Sequence, residues 1–300
     1  CQGDFVHTLI RLLSPELAAP ASSMYRHNLL NILSNAMDSS NAQYEKEDIR
    51  ARLDVALFPD RGETGWDVFS LDYHFRVPLN VIFTADSMSK YREISAFLIQ
   101  IKRVEYVLSG LWHKHMEVHR LVKPVYEIRT LLHHCNALRN EMIQFVVSLQ
   151  YYVMFHVVET EWQNYVEALN KAKHLDDVIQ AHDTYLQNIY FGVLYHTSPT
   201  ILQDKTHAIR KTLLALMALM IKFEKSQSSL VDAAVKVANA RMSEEEVDPE
   251  RDETEAVDWQ FQEHVDGVFK VEFAKIYNEY KTLLGALYNQ KLAFLLPKNQ

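Results

Sequence analysis

The segment that decides the fold is Trp66–Trp112, WDVFSLDYHFRVPLNVIFTADSMSKYREISAFLIQIKRVEYVLSGLW. Its first part contains two short apolar-rich runs, separated by Arg76–Pro78, and much of the alternation has the two-residue period of a strand. From Ser87 onward the period lengthens to about 3.6 residues. The apolar residues then share one face of a helix: Met88, Tyr91, Ile94, Leu98, Ile101, Val104, Leu108 and Leu111. The pattern predicts a small β-hairpin near residues 66–84 that leads directly into a long amphipathic helix.

The composition predicts that most of the remaining chain is also helical. The 300 residues include only 7 Gly and 8 Pro, whereas ordinary usage would give roughly 20 Gly at this length. A hydrophobic content of 48% is enough to fill a core. We therefore predict an all-α fold, a bundle of about six or seven helices within a single domain at 22–300, several of them very long. Residues 1–21 form a poorly defined lead-in, and the acidic stretch 243–256 is predicted to be a mobile insertion.

Helical periodicity and capping signals place the other elements. They are predicted at 22–40, 45–53 (a short helix), 124–159 with a continuation over 162–169, 176–195, 198–241 and 259–294. In the helix at 124–159, Tyr152 and His156 fall on the apolar stripe and are predicted to be core residues. Tyr151 lies about 100° away around that helix and is the better surface candidate. His182 is predicted to be a hydrogen-bonded core histidine.

Charge and cysteine content argue against several classes of protein. The net charge is −8 and the chain has no Lys/Arg-rich block, so we predict no nucleic-acid partner. Cys1 and Cys135 cannot build a disulfide framework or a cysteine-based metal cluster, which fits a reducing compartment such as the cytosol. The most apolar windows, Ile143–Val158 and Leu213–Ile221, are interrupted or short, so no membrane span is predicted. Because the chain starts without Met, we expect it to be a piece of a longer protein.

Motifs that would indicate catalysis are not found in the sequence. It contains neither a phosphate-binding glycine loop nor a nucleophile elbow. The densest candidate metal site is His113, His115 and His119, of which the last two could share a helix face. Solvated imidazoles at the polar end of a helix are the preferred interpretation of this cluster. We therefore predict no enzymatic activity, no metal and no cofactor.

Several motifs together resemble a known family. YRHNLLNILSNAMDSSNAQ (25–43), RLDVALF (52–58) and GETGWDVFSLDYHFRVPLNVIFT (62–84) resemble the C-terminal domain of the gamma-tubulin complex proteins. The similarity continues through SMSKYREISAFLIQIKRVEYVLSGLW (87–112), EMIQFVVSLQYYVMFHVVETEW (141–162) and LDDVIQAHDTYLQNI (175–189). It covers most of residues 22–195 in order. The sequences TGWDVFSLDY (64–73) and SSNAQ (39–43) are similar to component three of the family.

The resemblance implies a scaffold that binds gamma-tubulin through this domain. Family members pair laterally with other components, mainly through an N-terminal domain absent here, and template microtubule nucleation at centrosomes or spindle poles. This implies a location in the cytoplasm and cytoskeleton, at a microtubule organizing center, and any GTP would belong to gamma-tubulin. We expect contact at one end of the bundle, near the SSNAQ loop and the hairpin. The candidate contact residues are Asn41, Gln43, Asp67, Arg76, Arg103 and Tyr151.

Each of these six residues has a structural alternative, namely a helix cap, a hairpin residue or a solvated charge, and Arg103 could simply form a local ion pair. Two other functions remain open on the sequence. One is a helical scaffold or tethering protein unrelated to tubulin. The other is a bundle enzyme that uses the His113–His119 cluster.

Overall fold

Long helices make up most of the computed structural model, which describes residues 4–58, 62, 64–122, 129–193, 202–244 and 264–295. The chain divides into two compact units. Unit 1 comprises Cys1–Tyr106 and Ser148–Ser198, and Unit 2 comprises Val107–Val147 and Pro199–Gln300. The prediction of a single domain over 22–300 stays a prediction. Most of the acidic insertion, residues 245–256, lies outside the described residues.

The helices are α1 Phe5–Leu17, α2 Arg26–Asp38, α3 Glu47–Arg50, α4 Gly65–Val68, α5 Ala85–Val122, α6 Arg129–Tyr151, α7 Thr160–Lys171, α8 Leu175–Gly192, α9 Leu202–Glu244 and α10 Lys270–Leu295. Two π-helical segments, Tyr152–Glu159 and His264–Phe269, precede α7 and α10. The first joins α6 and α7 into one continuous helix, Arg129–Lys171. The predicted all-α fold with several very long helices is confirmed.

The small sheet forms between strands other than the predicted pair. β1 (Leu53–Leu57) pairs with β2 (Phe69–Tyr73) in antiparallel register, with Val55 opposite Leu71. The predicted short helix at 45–53 is too long, because α3 ends at Arg50 and β1 begins at Leu53. β2 lies within the predicted hairpin, but the prediction that it pairs with a strand near 79–83 is wrong. Residues Leu79–Val81 form a 3₁₀ turn instead. Pro78 has no N–H to donate, and the amides of Leu79 and Val81 bond locally to the carbonyls of Arg76 and Pro78.

The helix α1 packs into a hydrophobic core of Unit 1. Residues 1–21 were predicted to be a poorly defined lead-in, but Phe5–Leu17 forms the amphipathic helix α1. Its Leu13 and Leu17 are fully buried and belong to one cluster with Leu29 of α2 and with Trp66 and Phe69. The short apolar repeat of α1 packs because α2 and the sheet cover it, a tertiary contribution that local pattern understates.

The predicted apolar face of α5 is confirmed. Its buried members are Ile94, Ile101, Val104, Leu108 and Leu111. The sheet is attached to this helix through the fully buried Ser70, whose hydroxyl donates to the Arg92 carbonyl at 2.7 Å. The Arg92 guanidinium also pairs with Asp72 at 2.8 Å. These contacts fix the first turns of α5 against β2.

In Unit 2, α9 and α10 pack along each other around buried Met220, Phe223 and Tyr280. Polar contacts border this core. Ser226 donates to Glu272 at 3.0 Å, and the Lys281 ammonium donates to Glu141 of α6 at 2.6 Å.

Candidate partner-binding surface

Several large apolar side chains are exposed on the first π segment and its flanks in Unit 1. Tyr151 and Phe155 are 56% and 57% exposed, and Tyr152, Met154 and Trp162 are also exposed. We call these five residues the aromatic strip. The Tyr151 and Phe155 rings are in contact, with centroids 4.7 Å apart. Several exposed apolar side chains of this size on one short stretch of helix indicate an interaction surface.

The packing of the π segment explains why the strip faces outward. Val153 and Val157 are the buried residues of this segment. Gly192, at the end of α8, lies so close to Val157 that a Cβ there would be 2.5 Å from Cγ1. The prediction that Tyr152 and His156 belong to the core is wrong, because the buried stripe runs through 153 and 157 and leaves both side chains exposed.

A polar network joins the base of the strip to α5. The Gln150 amide donates to Glu105 at 2.7 Å, and the Lys102 ammonium donates to the same carboxylate at 2.9 Å. Burial acts to raise the pKa of Glu105, but the hydrogen bonds from Lys102 and Gln150 outweigh it and hold that pKa below its ordinary value. Glu105 is therefore ionised at neutral pH, and the network holds the helix of Tyr151 in place.

Contacts of α1 and α5 connect this region with the SSNAQ turn. The Asn41 side-chain oxygen accepts from the Phe5 amide at 3.1 Å, at the start of α1. Within the same turn of α1, the His7 ring packs edge-on against Tyr106 at 5.3 Å, and Tyr106 directly follows Glu105. Asn41 and Gln43 are exposed on the 3₁₀ turn Asn41–Tyr44. The predicted Asn41–Gln43 turn thus lies against the same part of Unit 1 that supports Tyr151.

Arg76 lies on an exposed loop beside α3. Its guanidinium is 3.6 Å from Asp48 and is 72% exposed. The rings of Phe75 and Phe83 stack at 3.8 Å and close the loop at its base. Arg50 of α3 in turn pairs with Asp38 at the end of α2. The structure therefore places Arg76 at the same end of Unit 1 as the Asn41–Gln43 turn.

Asp67 and Arg103 make internal contacts. The Asp67 carboxylate accepts from the amide and the hydroxyl of Thr64 at 3.1 and 2.8 Å and caps α4. The Arg103 guanidinium lies over the Trp66 ring, 4.4 Å from its centroid. The Asp67 contact closes the N-terminus of α4, and the Arg103 contact joins α5 to α4. Their proposed role in partner binding stays a prediction.

Within the described residues, no group of three or more His, Cys, Asp and Glu side chains could hold a metal ion. His113 is exposed, whereas the side chains of His115 and His119 lie outside the described part. Cys135 is buried, and burial raises the pKa of its thiol to about 12, so it is unreactive at neutral pH.

The continuous helix Arg129–Lys171 is long and apolar enough to cross a membrane by length and composition alone. Core helices of soluble proteins pass the same test, but only 22% of its most apolar window is buried in this structure. The helix therefore carries apolar surface that the described chain leaves open, and the aromatic strip is part of it.

Comparison with known proteins identifies the family. A model of the family described as "Gamma tubulin complex component C-terminal" matches residues 1–296. This chain belongs to the gamma-tubulin complex component family. It is 39% identical over 252 residues to gamma-tubulin complex component 3 homolog of Xenopus laevis and 36% identical over 252 residues to gamma-tubulin complex component 3 of Homo sapiens. It is also 37% identical over 242 residues to spindle pole body component 98 of Dictyostelium discoideum.

The Xenopus laevis and Homo sapiens matches each cover 84% of this chain and 27% of the relative. The Dictyostelium discoideum match covers 80% of this chain and 29% of the relative. The chain thus spans little more than a quarter of the length of the curated relatives it matches. The predicted resemblance to the family, and to its component three, is confirmed.

The sequence pattern identified only Tyr151 among the five residues of the aromatic strip. Met154, Phe155 and Trp162 were missed as candidates. A usable signal was present, since Tyr151, Phe155 and Trp162 recur at spacings of four and seven residues, but the same spacing is also typical of a core stripe. Only the position of the buried Val153 and Val157 shows that this spacing belongs to an exposed strip and not to a core stripe.

Proposed function

We propose that this chain is the gamma-tubulin-binding module of a gamma-tubulin complex scaffold that templates microtubule nucleation at centrosomes or spindle poles. The family match over residues 1–296 and the names of the relatives support this role. Lateral assembly with other components would use mainly an N-terminal domain outside this chain. The module acts by binding, without a catalytic step or cofactor of its own, and any GTP would be held by gamma-tubulin.

The single observation that carries the proposal is the exposed aromatic strip, and we assign gamma-tubulin to it. Tyr and Trp are enriched among the residues that dominate interface energies, because they bury a large area at low entropic cost. The net charge of −8 gives no long-range attraction to an acidic partner such as a tubulin. Binding must therefore come from local complementarity, which an apolar strip supplies.

The neighbouring polar candidates complete the proposed surface. Asn41, Gln43 and Arg76 are exposed at one end of Unit 1, where an amide and a guanidinium can pair with polar groups at the rim of an interface. A durable complex buries on the order of 1,200–2,000 Å² in total. The strip alone is too small for that area, so the Asn41–Gln43 turn and the Arg76 loop are assigned to the rim.

A titration of purified gamma-tubulin against the chain tests this function. The double variant Tyr151→Ala/Phe155→Ala is expected to weaken binding by at least about tenfold, since each truncation removes an anchor side chain. Its melting temperature should stay within about 2 °C of the parent, because both side chains are more than half exposed.

The matched control is Tyr288→Ala, which removes a tyrosine of Unit 2 that is 60% exposed. This control is expected to keep full affinity. Gamma-tubulin binding by the parent chain together with an unchanged affinity of the double variant would remove the aromatic strip from the interface. No detectable binding by the parent chain would refute the proposed function itself.

A further inference from the structure

A groove between α7 and α8 in Unit 1 is lined by none of the five residues of the aromatic strip, although Trp162 of the strip packs against one of its lining side chains. It has a volume of about 310 Å³ and is lined mainly by polar side chains. Glu161 lies toward one end and Asp177 toward the other, while Ala168 and Ala181 leave room between the helices. None of the described side chains that line the groove is a lysine or an arginine.

Both carboxylates accept hydrogen bonds from neutral donors in the described structure. Glu161 accepts a hydrogen bond from the neutral Asn188 amide at 2.7 Å. Asp177 accepts from the backbone amides of Lys173 and His174 at 2.9 and 3.0 Å, which lowers its pKa. Among the described residues, neither carboxylate has a cationic side chain within ion-pair distance. The groove therefore presents two carboxylates whose partners in the described structure are neutral amides and not cations.

Aromatic rings add a second element of recognition for a cation. Tyr165 and Tyr185 both line the groove and stack on each other, with centroids 4.9 Å apart. Trp162 packs edge-on against Tyr185 at 6.1 Å. Burial raises the pKa of both tyrosines, so their hydroxyls stay protonated at neutral pH. The negative face of such rings attracts guanidinium and ammonium groups.

From this charge complementarity we infer that the α7–α8 groove binds a basic segment of a partner protein, with one arginine or lysine at each end. Along α7 the lining spans residues 161–168, and along α8 it spans residues 177–188. At 1.5 Å per residue these lengths are about 10 and 16 Å. Two basic residues four positions apart in an extended segment are separated by about 13 Å, which fits that length. This inference does not depend on gamma-tubulin binding.

Fluorescence anisotropy with a labelled peptide tests the inference. The probe is a Gly/Ser-rich peptide that carries two arginines four positions apart, and its counterpart carries citrulline at both places. The arginine peptide is expected to bind the parent chain and the citrulline peptide to bind at least tenfold more weakly. Glu161→Gln and Asp177→Asn should each weaken binding of the arginine peptide about fivefold, and their combination about 25-fold. Asn at 177 retains an oxygen that can accept the capping hydrogen bonds.

The matched control is Glu167→Gln, which removes a carboxylate of α7 that faces Lys171 and does not line the groove. This variant has the same net charge as Glu161→Gln, so it separates the groove from general attraction to an acidic chain. It is expected to bind the arginine peptide like the parent. Equal weakening in the two variants would overturn the inference, and so would unchanged binding in Glu161→Gln/Asp177→Asn.

Discussion

The close packing of Gly192 against Val157 predicts that Gly192→Ala destabilises the segment that carries the aromatic strip. A Cβ at position 192 would lie 2.5 Å from Cγ1 and 3.0 Å from Cγ2 of Val157. Carbon atoms in favourable contact are about 3.5–4.0 Å apart, so Gly192→Ala introduces an overlap of about 1 Å. Val157 is a buried residue of the π segment and faces α8, so it cannot move aside without disturbing its neighbours.

The expected free-energy change is the difference between two effects. Overpacking of a buried contact costs about 1–3 kcal/mol. Replacing Gly by Ala inside a helix stabilises by up to about 1 kcal/mol, and less here because Gly192 is the last residue of α8. The net prediction is a destabilisation of about 1–2 kcal/mol, measured as a lower midpoint of urea unfolding with an unchanged slope.

A double-mutant cycle separates this contact from a general intolerance of Ala at 192. Val157→Ala alone removes two buried methyl groups and should cost about 1.6 kcal/mol or more. In Val157→Ala/Gly192→Ala the new methyl group enters the space that Val157 vacated. The double variant should therefore be at least about 1 kcal/mol more stable than the sum of the single changes predicts. A neutral Gly192→Ala, or additive single changes, would refute the reasoning.

Two further predictions concern Unit 1. Burial lowers the pKa of His182 below its ordinary value of 6.5, so the unfolded chain binds more protons and stability should fall as the pH drops below about 6.5. Urea midpoints from pH 8 to pH 5 should fall less steeply in His182→Gln; equal slopes would exclude this histidine as the cause. Arg103→Ala should destabilise by about 0.5–1 kcal/mol through loss of its contact with Trp66, measured by the same urea method. A fully stable Arg103→Ala variant with reduced gamma-tubulin affinity would instead make Arg103 a binding residue.

The sequence pattern predicted elements well where one period continues without interruption. The face of α5 is one example, because its apolar residues from Met88 to Leu111 keep a single phase. The strand β1 was missed because its alternation covers only five residues, Leu53–Leu57, and one of them, Asp54, carries a carboxylate. That carboxylate is buried, where it pairs with Arg26 and His74. Burial of an acid is acceptable only with such partners, and partners distant in sequence are invisible to a local pattern.

For the region that carries the aromatic strip, the sequence predicted a helix but assigned it the wrong inward face. An α-helical stripe placed Tyr152 and His156 in the core, whereas the structure buries Val153 and Val157. The intervening π segment bonds five residues apart instead of four. Its position is favoured by the close approach of Gly192, which depends on the tertiary packing of α8. A local sequence pattern does not reveal this contact, because Gly192 and Val157 are far apart in the sequence.

The exposure pattern of the π segment also limits the shape of a partner. Of the residues from Tyr151 to Val157, only Val153 and Val157 are buried. Adjacent residues such as Tyr151 and Tyr152 point in directions far apart around the helix axis, yet both are exposed. The helix is therefore attached along a narrow line and projects from its support. A partner that covers the strip must meet a ridge, so we expect it to provide a concave surface, as in helix-in-groove recognition.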